Sequence, residues 1–276
     1  MSLSNTLFTF VPCPATDFRK NMNQSGLPDF QTNPDSVIFR KASSKEDYIS
    51  CFSLLHDVYV EEGFIEPSLP PLRIIPHHKD PEATVFMGCL PDDQAENMPI
   101  YTASMFPDNK QGLPMDEGFK RQVDALRDQG RSLVEIGCLA SHPLYRKGDK
   151  KIPMLGNRML VSYAIKTLKA DDLVITVHPK YLKIYEDILL FEKIGEIPSY
   201  SYVNDNPAVA LRQDLHTWPE RLKKIYAKKP IEKNLYHFLF ESGPAFNDLP
   251  FEEEKEGAEK YGIMELIKNV LLLTNM

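Results

Sequence analysis

Residues 132–140 read Ser-Leu-Val-Glu-Ile-Gly-Cys-Leu-Ala, an apolar run broken by one carboxylate, Glu135. A short run of this kind predicts a strand in the interior of a sheet. Such a strand needs neighbours on its edges and layers on its faces, and the rest of the chain offers both. Upstream, Val37 and Phe39 alternate with Ile38 and Arg40 as a strand does. Ser43-Ser44-Lys45-Glu46 then supplies a capped start for a helix running through Phe52, Leu55 and Tyr59. Residues 61–81 contain five prolines and no periodicity, which predicts a long loop of the kind that carries function. Strands follow at Ala83–Leu90 and Ile100–Phe106, joined by an acidic turn, then a helix over Asp116–Gln129 with the stripe Phe119, Val123, Leu126.

Beyond the central strand, a basic loop from His142 to Lys151 leads into a helix over Pro153–Leu168, with proline near its first turn. A strand at Leu173–Val177, a short helix at Lys180–Leu190 and two strands within 191–203 and 208–211 complete the pattern. The order β-α-β-β-α-β-α-β-α-β-β predicts a mixed α/β (α+β) fold, a sheet with helices on both faces. Three regions are expected: an extended leader over 1–35, a core over 36–215 and a helical C-terminal extension over 216–276. The apolar segment from Ile263 to Leu273 is expected to close on the core.

Composition enters as a filter on function. The chain has 276 residues, 42% of them hydrophobic, and a net charge of −7, which argues against a nucleic-acid track while leaving room for a local basic patch. Cys13, Cys51, Cys89 and Cys138 form no C-x-x-C pair. The N-terminal residues show no secretory pattern and no stretch approaches a membrane span, so a cytoplasmic protein with free thiols is expected. The histidines form no H-x-x-x-H or H-E-x-x-H, so no metal is assigned.

Glu135 is the residue most suited to chemistry. A carboxylate in a buried strand costs several kcal/mol unless paired or protonated, and desolvation moves its pKa toward the range of a general base. From position alone, an ion pair with a neighbouring Lys or Arg at the strand edge is the more ordinary account of such a residue. Gly137 marks either a bulge where a ligand approaches the backbone or a close packing contact. Cys138 has no identifiable base beside it and reads as a buried, inert thiol. Arg146, Lys147, Lys150, Lys151 and Arg158 cluster around a helix N-terminus, which favours anions. The P-loop motif is absent from the sequence, so nucleotide hydrolysis is not indicated.

The order of elements is similar to the Gcn5-related N-acetyltransferase fold, and three stretches resemble the bacterial N-acyl amino acid synthases, relatives of the acyl-homoserine lactone synthases. They are LHDVYVEEGFI (55–65), LVEIGCLA (133–140) and VHPKYLKIYEDILLFEKIGEIPSYSYVNDNPAVALRQDL (177–215). The last is the most specific, and the L-R-x-x-G end of 116–130 fits the same pattern. The resemblance covers about residues 37–215. It implies a central, mostly antiparallel mixed sheet and transfer of a long-chain fatty acyl group from an acyl carrier protein thioester to an amino acid's α-amine. No bound cofactor is implied; the donor substrate is acyl-4'-phosphopantetheine on the carrier, or acyl-CoA. Glu135 would be the general base and Tyr185 the proton donor to the departing thiolate. Tyr185 is equally readable as a packed aromatic one turn from Tyr181.

By the same resemblance, backbone groups at Gly137, Cys138 and Leu139, with Arg146 and Lys147, would hold the acyl-pantetheine. Lys150, Lys151 and Arg158 would dock the acidic carrier. Tyr59, Thr102 and Ser104 are candidate contacts to the amino acid. Gly148 alone remains where acetyl-CoA users carry a richer glycine loop, which suits a donor with one phosphate. Leu55 and Cys138 stand where the lactone synthases have arginines, which argues against S-adenosylmethionine as substrate. His178 and Tyr181 also depart from the synthase pattern. An acetyl-CoA-dependent N-acetyltransferase, a lactone synthase and a non-catalytic acyl-binding protein of this fold remain the alternatives.

Overall fold

The computed structural model describes residues 37–89, 98–146, 152–242 and positions 264, 265, 267 and 268. The expected leader, the acidic turn, and Lys147, Lys150 and Lys151 lie outside the described residues, as does the side chain of Arg146.

Among the described residues seven strands form one sheet: β1 (Ile38–Lys41), β2 (Thr84–Cys89), β3 (Pro99–Pro107), β4 (Leu133–Ser141), β5 (Asp172–Val177), β6 (Glu192–Tyr200) and β7 (Asn206–Asp214). Their spatial order is β1-β2-β3-β4-β5-β7-β6. Every neighbouring pair is antiparallel except β4 with β5, which is parallel. Among the described residues the longer α-helices are α1 (Lys45–Glu61), α2 (Asp116–Arg127), α3 (Ile152–Lys166), α4 (Leu182–Asp187) and α5 (Trp218–Tyr226).

These elements follow the sequence pattern with a few differences at their ends. Ser44 caps α1 and forms a capping box with Asp47, whose carboxylate also takes a bidentate pair of hydrogen bonds from Arg40 at 2.5 and 2.7 Å. The long loop contains one 3-10 turn, Pro76–Lys79, and the basic segment begins as a helical turn, Pro143–Arg146. The helix expected over 180–190 divides into a turn at Pro179–Tyr181 and α4, and Leu190 (φ +59°) redirects the chain into β6.

Alternation along β3 shows how the faces are covered. Thr102 faces α1, where its hydroxyl meets the Cys51 thiol, while Tyr101 faces α3. The α3 backbone comes so close that a Cβ added at Gly156 would lie 2.3 Å from the Tyr101 ring. Gly156→Ala is therefore expected to lose about 1–3 kcal/mol of stability through overpacking, read from urea denaturation. With both faces covered, all nine residues of β4 are buried.

The described part of the C-terminal region continues the same core. Trp218 is 2% exposed and donates from Nε1 to the Leu189 carbonyl at 2.8 Å, and Tyr226 donates to the Ile188 carbonyl at 3.2 Å. Ile267, within the expected apolar segment, packs in a second cluster with Cys51, Phe52 and Leu72.

The parallel pairing of β4 and β5 is short. It joins Leu133–Ile136 to Asp172–Ile175 and ends there. β4 continues through Ser141 beside β3 alone, while β5 continues beside β7. A wedge opens between them, and residues 137–141 present a backbone edge to it. At its mouth the β3 register shifts between Thr102 and Ser104, and Cys138 takes a left-handed backbone (φ +51°). This is a bulge, and bulges re-aim a strand's side chains next to functional sites.

Candidate active site

Glu135 lies two residues before the wedge opens and is 1% exposed. Its register partner on β3 is Phe106 and on β5 is Val174, so its backbone is held from both sides. Because Ser104 pairs with Gly137 on the next step of the same face, the Glu135 side chain points to the α1 side of the sheet. The ion pair that could have explained a buried carboxylate is absent among the described residues. Instead Oε2 accepts one hydrogen bond from the Met115 backbone N–H at 2.8 Å. Burial pushes the Glu135 pKa up to about 8; the Met115 N–H opposes this, while the charges of Asp116 and Asp108 add to it.

Met115 is delivered by the segment that opens α2. Asp116 folds back to accept from the Leu113 N–H at 2.7 Å, and Arg127 bridges Asp116 and Asp108 at 2.7 Å each. The same segment is clasped from β6, where Tyr200 donates to the Pro114 carbonyl at 3.1 Å. Sequence reasoning missed Met115 because a backbone donor leaves no mark on residue type. Tyr200 and Tyr202 lie in the third quoted stretch, and the repeated tyrosine two residues apart was their available signal.

The other expected site residues are dispersed. Gly137, Cys138 and Leu139 form the bulged edge of the wedge, and burial pushes the Cys138 thiol up to about 12, so it stays protonated. Tyr185 lies on α4, across the wedge beyond the end of β5, and is fully buried with an edge-on contact to Phe191 at 5.5 Å. Burial raises its phenol well above the ordinary range. Tyr59 is buried against Phe64.

Two expectations need correction. Thr102 and Ser104 are both buried and their hydroxyls are used by the fold: Thr102 donates to the Phe86 carbonyl at 3.1 Å and Ser104 pairs with His78 at 2.9 Å. Since His78 Nδ1 accepts from the Ile75 N–H, its proton sits on Nε2 and is donated to Ser104. Burial, helped by the charge of Arg73, lowers His78 to about 3 and keeps it neutral. Arg158 does not face a docking partner. It is 7% exposed, donates to the Ser242 carbonyl and hydroxyl at 3.1 and 3.0 Å, and stacks 5.0 Å from the Phe238 ring centre.

A cavity of about 440 Å³ adjoins this region, lined by Phe64, Arg73, Glu117 and Tyr202 among others. Burial first, then the charge of Glu117 and that of Glu135, raise the Tyr202 phenol to about 12, and Arg73 opposes them. Tyr202 is thus within electrostatic reach of both the cavity and Glu135.

Comparison with known proteins fits this arrangement. No curated protein matches the chain in sequence. Among solved structures, FeeM, an N-acyl amino acid synthase from uncultured soil microbes, is 25% identical with a TM-score of 0.55, covering 67% of this chain and 94% of FeeM. The CoA-dependent acyl-homoserine lactone synthase BjaI, solved with MTA, shares the fold at 11% identity and a TM-score of 0.52, covering 83% of this chain and 99% of BjaI. The family model described as N-acyl amino acid synthase FeeM matches residues 50–214, more than half of the sequence. This chain, an acyltransferase-fold enzyme with a buried carboxyl at the opening of its sheet, belongs to the FeeM family of N-acyl amino acid synthases.

Proposed function

We propose that the enzyme transfers a long-chain fatty acyl group from an acyl carrier protein thioester to the α-amine of an amino acid, with Glu135 as general base. The observation that carries this reading is the isolation of the Glu135 carboxyl beside the wedge, where burial brings its pKa to about 8. A carboxylate with that affinity for protons is matched to an amino acid's ammonium group. Glu135 takes one proton from the ammonium, and the freed amine attacks the thioester carbonyl carbon. The oxyanion that forms is met by backbone N–H groups of residues 137–139 along the wedge. Collapse of the intermediate breaks the C–S bond and the departing thiolate takes a proton from Tyr185; the nitrogen's second proton passes through solvent to the Tyr185 phenolate, which leaves the amide, a free thiol and a restored phenol.

Charge distribution supports a carrier as donor. The chain is acidic overall, yet Arg146, Lys147, Lys150 and Lys151 concentrate positive charge just after β4. Carrier proteins are acidic, and a basic patch at the donor mouth would steer and orient one. The direct test is mass spectrometry of reactions containing the purified enzyme, acyl carrier protein loaded with a long-chain acyl group and a mixture of amino acids. N-acyl amino acids are the expected products. Lys150→Glu with Lys151→Glu should raise KM for the acylated carrier about tenfold, or 1.4 kcal/mol, and leave KM for the same acyl group on free pantetheine unchanged. Equal KM values for carrier in the variant and the wild type would count against this docking face. Efficient use of acyl-CoA without any carrier would point to CoA as donor.

A further inference from the structure

Arg73 is held from two directions. Its backbone N–H donates to the Phe52 carbonyl of α1 at 3.0 Å, and its Nη2 donates to the Tyr202 carbonyl at 2.8 Å. These anchors fix a guanidinium in the wall of the cavity. Its Nε is buried and has no hydrogen-bond partner, and no carboxylate pairs with it among the described residues. Arg73 is the only cation among the cavity's lining residues, and a guanidinium edge matches a carboxylate with two parallel hydrogen bonds.

The other charges of the cavity are Glu66 and Glu117. Both are exposed, and Glu117 accepts from the Ser201 hydroxyl at 3.1 Å. The cavity thus has an inner wall that attracts one carboxylate and a rim that repels a second. Glu135 is near enough for its charge to act on Tyr202, and it also feels the charges of Asp116 and Asp108. A zwitterionic ligand with its carboxylate on Arg73 would turn its ammonium toward the carboxyl groups.

We propose that Arg73 receives the α-carboxylate of the acceptor amino acid and so orients its amine toward Glu135, while Glu66 and Glu117 select against acceptors with acidic side chains. This rests on the acyl-transfer reading above and adds to it the class of acceptor: an α-amino acid with a neutral or basic side chain. Arg73 binds and orients; the proton transfer belongs to Glu135.

The test compares amino acids with their decarboxylated amines, using the full chain and one acylated carrier. Leucine is paired with isoamylamine and tyrosine with tyramine, and glutamine is compared with glutamate. The wild type should favour each amino acid over its amine by about 10²-fold in kcat/KM, and glutamine over glutamate. Arg73→Gln, which keeps a donor for the Tyr202 carbonyl, should bring amino acid and amine close to parity by raising the amino acid's KM, with the carrier's KM unchanged. Arg73→Lys should restore part of the preference. Glu66→Gln with Glu117→Gln should narrow the gap between glutamine and glutamate.

A wild type that uses amines as well as amino acids overturns the proposal. So does an Arg73→Gln enzyme that keeps its preference, whatever its melting temperature. Equal use of glutamate and glutamine by the wild type overturns the part assigned to the rim. If the wild type acylates neither class, the acyl-transfer reading fails and takes this one with it; if it acylates amino acids and only the Arg73 results fail, the parent reading stands.

Discussion

Glu135→Gln should lower turnover by about 10²–10⁴-fold, the contribution expected of a positioned general base. Glutamine nearly preserves shape and keeps an oxygen for the Met115 N–H, so the loss would report lost basicity and not a rearranged site. In the wild type the carboxylate is the active form, so kcat/KM should climb with pH and level off above about 8. A profile that is flat from pH 6 to 9, or a variant that keeps full activity, would remove Glu135 from the mechanism.

Stability should respond in the opposite direction. The folded-state pKa of about 8 lies above the ordinary 4.5, so the folded protein binds the proton more tightly than the unfolded chain does. The advantage of the protonated folded state is complete below pH 4.5 and is lost as pH rises to 8. By pH 7 this has cost about 3 kcal/mol. Glu135→Gln lacks that dependence, so its urea midpoint should exceed the wild type's increasingly between pH 5 and 8. An inactive variant that becomes more stable is the signature of a group kept for chemistry at the fold's expense.

The second large effect concerns the closed end of the wedge. Asp172 opens β5 and is fully buried, pairing with Arg131 Nε at 2.6 Å and Arg212 Nε at 2.8 Å. It thereby ties the start of β4 to β5 and β7. Asp172→Ala should destabilise the protein by about 3–5 kcal/mol, because it strands two half-sheltered guanidinium groups without the carboxylate between them. Asp214 lies 3.2 Å from Arg131 and 3.6 Å from Arg212 and would recover part of the loss. Urea denaturation measures the effect, and a change below 1 kcal/mol would show the cluster to be ornamental. Near the denaturation threshold activity should fall only with the folded fraction.

What the sequence made legible was local. Ser44 and Asp47 cap a helix wherever they are placed before one, and the alternation in β1 needs no knowledge of β2. Glu135 stood out because its cost in an apolar strand can be judged from nine residues. The bulge at Cys138 could not be seen, since it depends on how many residues of β3 lie opposite. Arg73 sits in a segment without periodicity, and its side-chain anchor is 129 residues away. Arg158 was misplaced for a related reason: a charge beside a basic run reads as surface until Phe238 and Ser242 fold over it. Thr102 and Ser104 looked available because Phe86 and His78, which occupy their hydroxyls, are separated from them by the turn or the long loop.

The shortness of the parallel seam has a mechanical consequence. Four residue pairs join two halves of the sheet, and Asp172 rivets the seam at the end away from the wedge. Glu135 occupies the third of those pairs, so its backbone is clamped by strands on both sides, while the backbone two residues later has a neighbour on one side only. Along one strand the backbone changes from doubly paired to singly paired, and the proposed base stands in the doubly paired part. A guest chain entering the wedge could therefore take up a strand's place without moving the carboxyl proposed to act beside it.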